Sequence, residues 1–349
     1  MKIGLLTYHH STNNGAMLQA YATARALREL GHDVQFLDIR QPEKHHTGVI
    51  GLLANIINCK RDFRIKKFKS KFYPPLSRRY YSVDELRNNP PKVDCLMVGS
   101  DQVWNPHISK EMAMAYFLDF GSESLKRIAY ASSFGQDQWM GDESFTADVQ
   151  KALNQFNALS AREMTGVNIL KETYGKNSTL VVDPTMLFSK YEELTGFVPE
   201  CNEIVCYKLN RTSDFFKNIG AVKRITGLPA RLLNNAYPVR GLRYTYPPCV
   251  EEWIRRIGGA KYVITDSFHG TVFSILYKRD FVVIKNNDGK NSRMLDLLKS
   301  LGLENRAYNS VQSLQDNKLW LSPIDYTMVE PKLESLRDIS WDYLKNALK

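Results

Sequence analysis

Val263-Ile264-Thr265-Asp266-Ser267-Phe268-His269-Gly270-Thr271-Val272-Phe273 changes character twice within eleven residues. The apolar run 262–264 predicts a short buried strand. Residues 265–270 form a polar corner, and 271–277 turn apolar again as a helix begins. A strand that breaks into a helix leaves backbone N–H groups at the corner. Those groups, with the positive helix end, favour an anion there by ~0.3–1 kcal/mol. Asp266, Ser267 and His269 stand in that corner. Of these three side-chain types, imidazole alone titrates near neutral pH. The plainer reading of the window is a strand–helix turn with a surface histidine.

The same strand, polar loop and helix recur outward from it. Residues 2–8 are an apolar run, and 9–15 read His-His-Ser-Thr-Asn-Asn-Gly. Met17, Tyr21, Ala24 and Leu27 then fall at helical spacing before Gly31, and 33–39 predict the next strand. Such a βαβ unit opens a parallel sheet, because its crossover is right-handed. Ligands of these sheets gather at the carboxyl ends of the strands, where the loop 9–15 lies. The loop is no G-x-G-x-x-G dinucleotide fingerprint. Asn14-Gly15 would let a ligand approach the backbone closely; a plain βα loop is the alternative.

Further strands, 93–98, 128–131 and 180–182, and the buried segment 156–161 each run into polar groups. These are Gly99-Ser100-Asp101-Gln102, Ser132-Ser133, Asp183-Pro184-Thr185 and Arg162-Glu163 respectively. Four strands delivering small polar or charged groups to one sheet edge mark a binding site more strongly than any single loop. Trp104 offers a flat face for a sugar ring, or packs inward. A second set follows: strand 203–209, helices 215–225 and 250–257, the 262–264 strand, and strand 281–284. A loop with Lys285, Asn286, Asn287 and Asn291 precedes Ser292-Arg293 and a helix over 294–301. Residues 331–348 predict a final amphipathic helix. The expected architecture is α/β, two Rossmann-like lobes with an interdomain cleft. Residues 1–186 form the N-terminal lobe on the acceptor side, 187–330 the C-terminal lobe on the donor side, and 331–349 the closing helix.

The chain's 349 residues suffice for two domains, and 43% apolar content is that of a folded protein. A net charge of +10 suits anionic partners. Five cysteines, an odd number without a C-x-x-C pair, fit reduced thiols in the cytoplasm. No apolar run approaches the ~20 residues that cross a bilayer. No His/Asp/Glu cluster has metal-ligand spacing. Residues 59–72 are basic, with Phe63, Phe68 and Phe72 interleaved. They read as a solvated helix packing its aromatics inward, or as a peripheral contact with an anionic acceptor or the inner membrane face. No base-reading motif accompanies the run, so no nucleic acid is expected.

Taken together, several segments resemble the polysaccharide pyruvyl transferases. They are Asn14-Gly15-Ala16 with Leu18-Gln19-Ala20-Tyr21, Gly99-Ser100-Asp101-Gln102-Val103-Trp104-Asn105, Ser160-Ala161-Arg162-Glu163 and Asp183-Pro184-Thr185. Ser267-Phe268-His269-Gly270 and Ser292-Arg293 complete the set, in the family's order from residue 1 to about 303. The family loop commonly has an aromatic where this chain has Asn14. The resemblance implies a GT-B-like fold and transfer of a pyruvyl group from phosphoenolpyruvate onto a sugar, without a further cofactor. The saccharide acceptor is free or lipid-linked.

That chemistry needs cations for a carboxylate and a phosphate, and arginine supplies bidentate contacts. Arg162 and Arg293 are the candidates, one from each lobe, with Lys285 as a further cation. His269 is the expected acid/base, oriented by Asp266, and Asp101 would take or hold a sugar hydroxyl proton. Ser100, Ser132, Ser133, Ser267 and the Gly270 backbone are expected around the anion, with Asn14, Gly15 and Trp104 toward the sugar. Competing functions are a glycosyltransferase using a nucleotide sugar and a non-catalytic carbohydrate or phosphate binder. Acceptor choice is expected in residues 40–90 and 234–248.

Overall fold

The computed structural model describes residues 1–40, 49–210, 213–234, 239–246, 248–286 and 291–349. Asn287 of the expected loop, and 41–48, 235–238 and 247 of the stretches expected to select the acceptor, lie outside the described residues. The chain divides into two compact units. The first comprises Met1–Ile56, Lys67–Leu187 and Ser335–Lys349; the second comprises Ile57–Lys66 and Phe188–Glu334.

The first unit is built on a parallel sheet of five strands: β1 Lys2–Leu6, β2 Asp33–Ile39, β3 Leu76–Tyr80, β4 Cys95–Val98 and β5 Lys126–Ala129. Their spatial order is β3-β2-β1-β4-β5. Two short strands, β6 Ser160–Ala161 and β7 Thr179–Leu180, pair in parallel, and single bridges from Ile128 to Ala158 and Ser132 to Ala161 link them to the β5 side. The order reverses between β1 and β4, which is where ligands settle in doubly wound sheets. Strands buried on both faces need continuous apolar runs, and β4, Cys-Leu-Met-Val, is buried throughout. Leu6, Ile39, Val98, Trp104, Phe117 and Phe134 belong to its core.

The second unit repeats the plan with six parallel strands: β8 Cys201–Tyr207, β9 Ala230–Leu233, β10 Arg243–Thr245, β11 Ala260–Thr265, β12 Asp280–Ile284 and β13 Ala307–Tyr308. The order is β10-β9-β8-β11-β12-β13, so this sheet reverses between β8 and β11. Register there runs from Tyr262 opposite Ile204 to Thr265 opposite Tyr207. Ile204, Phe215, Ile219, Leu232, Ile264, Val282 and Trp320 fill the core. Both units are Rossmann-like, as the sequence patterning predicts.

The last helix spans Tyr326–Ala347 and carries Pro331 inside it. The sequence reading placed the proline at the helix start, where it is best tolerated; the helix begins five residues earlier. Its second half belongs to the first unit. Ser340 Oγ accepts from Val182 N at 2.9 Å, Tyr343 OH donates to Ala129 O at 2.8 Å, and Arg337 Nε donates to Met186 O at 2.6 Å. Among the described residues no helix is long and apolar enough to cross a membrane.

Candidate functional site

In the first unit the polar groups converge as expected, but mostly on one another. Thr7, just beyond β1, donates its hydroxyl to Ser100 O beyond β4 at 2.9 Å, and Gln19 Nε2 donates to Thr7 Oγ1 at 2.8 Å. The Arg162 side chain is 1% exposed. Its Nη1 donates to Asp183 Oδ2 at 2.9 Å and to Ser100 Oγ at 3.2 Å, and its Nη2 to Asp101 Oδ1 at 3.5 Å. Its Nε stands 3.4 Å from Glu163 Oε2. Burial lowers the Arg162 pKa, but Asp101, Asp183 and Glu163 outweigh it and hold the group above its ordinary value. The expected substrate cation is instead the centre of an internal ion-pair cluster.

Other expectations change for related reasons. Trp104 is fully buried, stacked on Phe117 at 5.6 Å, with Nε1 donating to Tyr116 O. It is a core residue, and no sugar reaches its face. Ser132 Oγ donates to Gly99 O, and Ser133 Oγ accepts from Gly135 N; both residues are 0% exposed. Ser100 Oγ, equally buried, donates to Asp183 Oδ2 at 3.0 Å. The helix Asn14–Glu29 starts under an Asn13 cap, whose Oδ1 accepts from Gly15 N and Ala16 N. The Gly15 N–H is therefore engaged by the chain itself, and Asn14 is 8% exposed.

Asp101 differs. Its side chain is 16% exposed. Its φ is +83°, a left-handed conformation uncommon for a residue other than glycine. Strain of ~1–3 kcal/mol persists where surrounding contacts enforce it, and such residues cluster at functional sites. Here Ser133 N donates to Asp101 O, and Asp101 Oδ1 accepts from Gln102 N. Of the first-unit candidates, Asp101 is the one whose side chain keeps appreciable exposed surface.

In the second unit the corner forms as predicted. Ser267 caps the helix Phe268–Leu276 by accepting from Gly270 N, and His269 lies in the first turn, 9% exposed. The Phe268 ring meets the imidazole edge-on at 5.3 Å. Gly270 is required by packing: an added Cβ would run into Thr265 Oγ1 and stand 3.2 Å from Tyr207 Cδ1. The helix can thereby lie close against the carboxyl ends of β8 and β11.

Asp266 does not orient the imidazole. Its Oδ1 accepts from Leu209 N at 2.7 Å, and its Oδ2 from Asn210 N at 2.9 Å and Lys208 Nζ at 3.1 Å. The carboxylate shapes the turn after β8 and neutralises a buried lysine. The sequence reading ran a strand through Lys208 and missed it; a lysine at the carboxyl end of a strand was the available signal. Asn210 Nδ2 donates to Asn286 Oδ1, and Asn286 N donates to Asn291 Oδ1, tying in the loops after β8 and β12. The helix Ser292–Leu301 brings Met294 Sδ to 4.0 Å from Thr271 Oγ1, and Arg293, next to Met294 in sequence, is half-buried. Lys285 follows β12 and is half-buried as well.

The fold is shared with several solved structures. MnaA of S. aureus in complex with UDP superposes with a TM-score of 0.55 at 11% identity, covering 95% of this chain and 90% of that one. UDP-GlcNAc 2-epimerase from Neisseria meningitidis bound to UDP-GlcNAc gives 0.54 at 9% identity, covering 100% and 99%. The glycotransferase of kitacinnamycin gives 0.52 at 12% identity, covering 100% and 99%. At these identities the likeness is one of fold alone. No curated protein sequence matches the chain. The profile of the polysaccharide pyruvyl transferases matches residues 13–288, from the Asn13 cap through the His269 corner and β12. The chain belongs to the polysaccharide pyruvyl transferase family.

Proposed function

We propose that this protein transfers a pyruvyl group from phosphoenolpyruvate to a sugar of a cell-surface polysaccharide or its precursor. The product is a ketal across two hydroxyls, and phosphate is released. The observation that carries the reading is His269, set in the first turn of Phe268–Leu276 at the carboxyl edge of β11. A titratable ring at a helix start combines proton transfer with a field that favours an anion.

C3 of the enol takes a proton while a sugar oxygen bonds to C2. The bond from C2 to the phosphate oxygen then breaks, and the electron pair leaves with phosphate. The second hydroxyl adds to C2 and gives up its proton. His269 delivers the proton to C3 and recovers one from the closing hydroxyl, a contribution of ~10²–10⁴-fold. Arg293 and Lys285 meet the carboxylate and phosphate charges. Ser267 Oγ accepts from Gly270 N and keeps its own O–H for a phosphate oxygen. The proton of the attacking hydroxyl leaves with the phosphate.

The test is phosphate release from phosphoenolpyruvate in the presence of a saccharide. Thermal protection by phosphoenolpyruvate, without protection by UDP- or GDP-sugars, supports the reading. Protection by a nucleotide sugar with no phosphate release would replace it with glycosyl transfer.

A further inference from the structure

The first unit holds a cavity, lined by both polar and apolar side chains, that the chemistry above does not use. It lies where β1 and β2 end, measures about 290 Å³, and is lined by Tyr8, His10, Arg40, Ser109, Lys110 and Tyr116 among others. That volume sits at the small end of the ~300–1,000 Å³ usual for small-molecule sites, a size for one sugar ring.

Its walls mix aromatic faces with hydrogen-bonding groups. Tyr8 meets Tyr116 edge-on at 5.1 Å and His10 at 6.0 Å. The Tyr8 hydroxyl donates to Gln102 O at 3.2 Å and stands 3.2 Å from Ser109 Oγ. It thereby joins the cavity to the loop that carries Asp101. Burial, helped by His9, Lys69 and Arg40, lowers the His10 pKa to about 4, so the ring is neutral at pH 7. Its Nδ1 has no hydrogen-bond partner among the described residues.

Among the described residues, the charges around the cavity do not cancel. Arg40 gives Nε to Asp38 Oδ1 and Nη2 to Asp38 Oδ2, each at 3.0 Å, leaving Nη1 outside that pairing. Arg79 Nε donates to the same Asp38 Oδ2 at 3.1 Å. Two guanidiniums thus share one carboxylate, and Asp38 fixes the Arg40 fork in place. Lys69 adds a cation nearby, its Nζ donating to Ser11 O at 3.1 Å. Lys110 is exposed, adopts φ +50°, and has no acidic partner among the described residues. Asp101 acts on the cavity through Tyr8 and Tyr116, and the exposed Glu111 follows Lys110 in sequence.

We propose that this cavity binds the acceptor sugar, and that the acceptor carries an anion on or beside its ring, a carboxylate or a phosphate ester. Tyr8, Tyr116 and the neutral His10 contact the ring and its hydroxyls; Arg40 and Lys110 meet the anion. The word acceptor rests on the pyruvyl-transfer reading, while the selectivity for anionic sugars does not.

Saturation-transfer NMR on the full-length protein tests it, with three probe sets in gluco, galacto and manno forms: hexuronates, hexose 1-phosphates and uncharged methyl hexosides. At least one anionic set should bind about tenfold or more tighter than the uncharged set, as charge-assisted contacts require. Which set binds identifies carboxylate or phosphate as the source. Lys110→Ala, at an exposed position, should weaken that binding about tenfold, and Arg40→Ala at least as much. Equal binding of uncharged and anionic sugars, absence of anionic-sugar binding, or a Lys110→Ala protein with unchanged affinity overturns the proposal. Anionic-sugar binding without phosphate release from phosphoenolpyruvate keeps the cavity assignment and removes only the pyruvyl-transfer reading.

Discussion

Lys208 Nζ lies 3.1 Å from Asp266 Oδ2, where β8 and β11 end side by side, with the two side chains 7% and 0% exposed. The pair sits at the reversal of the second sheet, beside the corner that carries His269. Removing one partner of a buried pair costs more than the pair itself contributes, because the other charge is stranded. Asp266→Ala also strips the acceptors of Leu209 N and Asn210 N. Urea unfolding should show a loss of about 3–5 kcal/mol. A loss under about 1 kcal/mol would mean that water already solvates the lysine.

His269→Ala should lower phosphate release by ~10²–10⁴-fold with little change in unfolding midpoint. A variant that keeps the full rate removes the imidazole from the mechanism.

Arg162→Met tests the ion-pair cluster of the first unit. It leaves Asp183 and Glu163 buried without their cation, so stability should fall by about 3–5 kcal/mol. Phosphoenolpyruvate affinity of the folded fraction, read by calorimetry, should stay that of the wild type. A selective loss of donor affinity at unchanged stability would restore this arginine to the substrate.

Gly270→Ala introduces a methyl group against Thr265 Oγ1 and the Tyr207 ring. Overpacking of this kind costs about 1–3 kcal/mol. The helix start must shift, and His269 shifts with it, so turnover should drop together with the melting temperature. Unchanged values of both would show that the backbone absorbs the methyl group freely.

His10 supplies a pH signature. Burial, reinforced by His9, Lys69 and Arg40, brings its folded pKa to about 4 against 6.5 for the free side chain. Between those values the unfolded chain binds more protons than the folded one. Stability therefore rises as pH climbs from about 4 to about 6.5, and falls on acidification through that window. Buried His9, also shifted down chiefly by burial, adds in the same sense. His10→Gln should flatten the slope of unfolding free energy against pH. An unaltered slope would assign the effect to other groups.

Much of the strand–loop–helix alternation was legible in the residues. Residues 33–39 were read with the bounds that β2 has, because Val34, Phe36, Leu37 and Ile39 stand out against the polar residues around them. The short strands β9, β10 and β13 were not read; two to four residues carry too little period to stand out. The polar corner with His269 was legible because an apolar strand, a glycine and an apolar turn stand within a few residues of it; that Ser267 caps the helix was not read. The cavity at Tyr8 and Arg40 was not, because β1 and β2 are separated by a helix in sequence and joined only in the sheet.

The sequence by itself determined two Rossmann-like units, membership of the pyruvyl transferase family and the helix corner holding His269. These depend on patterns within a few residues, or on motifs in fixed order. Tertiary structure alone decided which charged groups are already matched. Arg162 faces Asp183 and Asp101, and Lys208 faces Asp266, across separations of 21, 61 and 58 residues. Strand order brings such partners together, and the low dielectric of the interior makes their pairing obligatory.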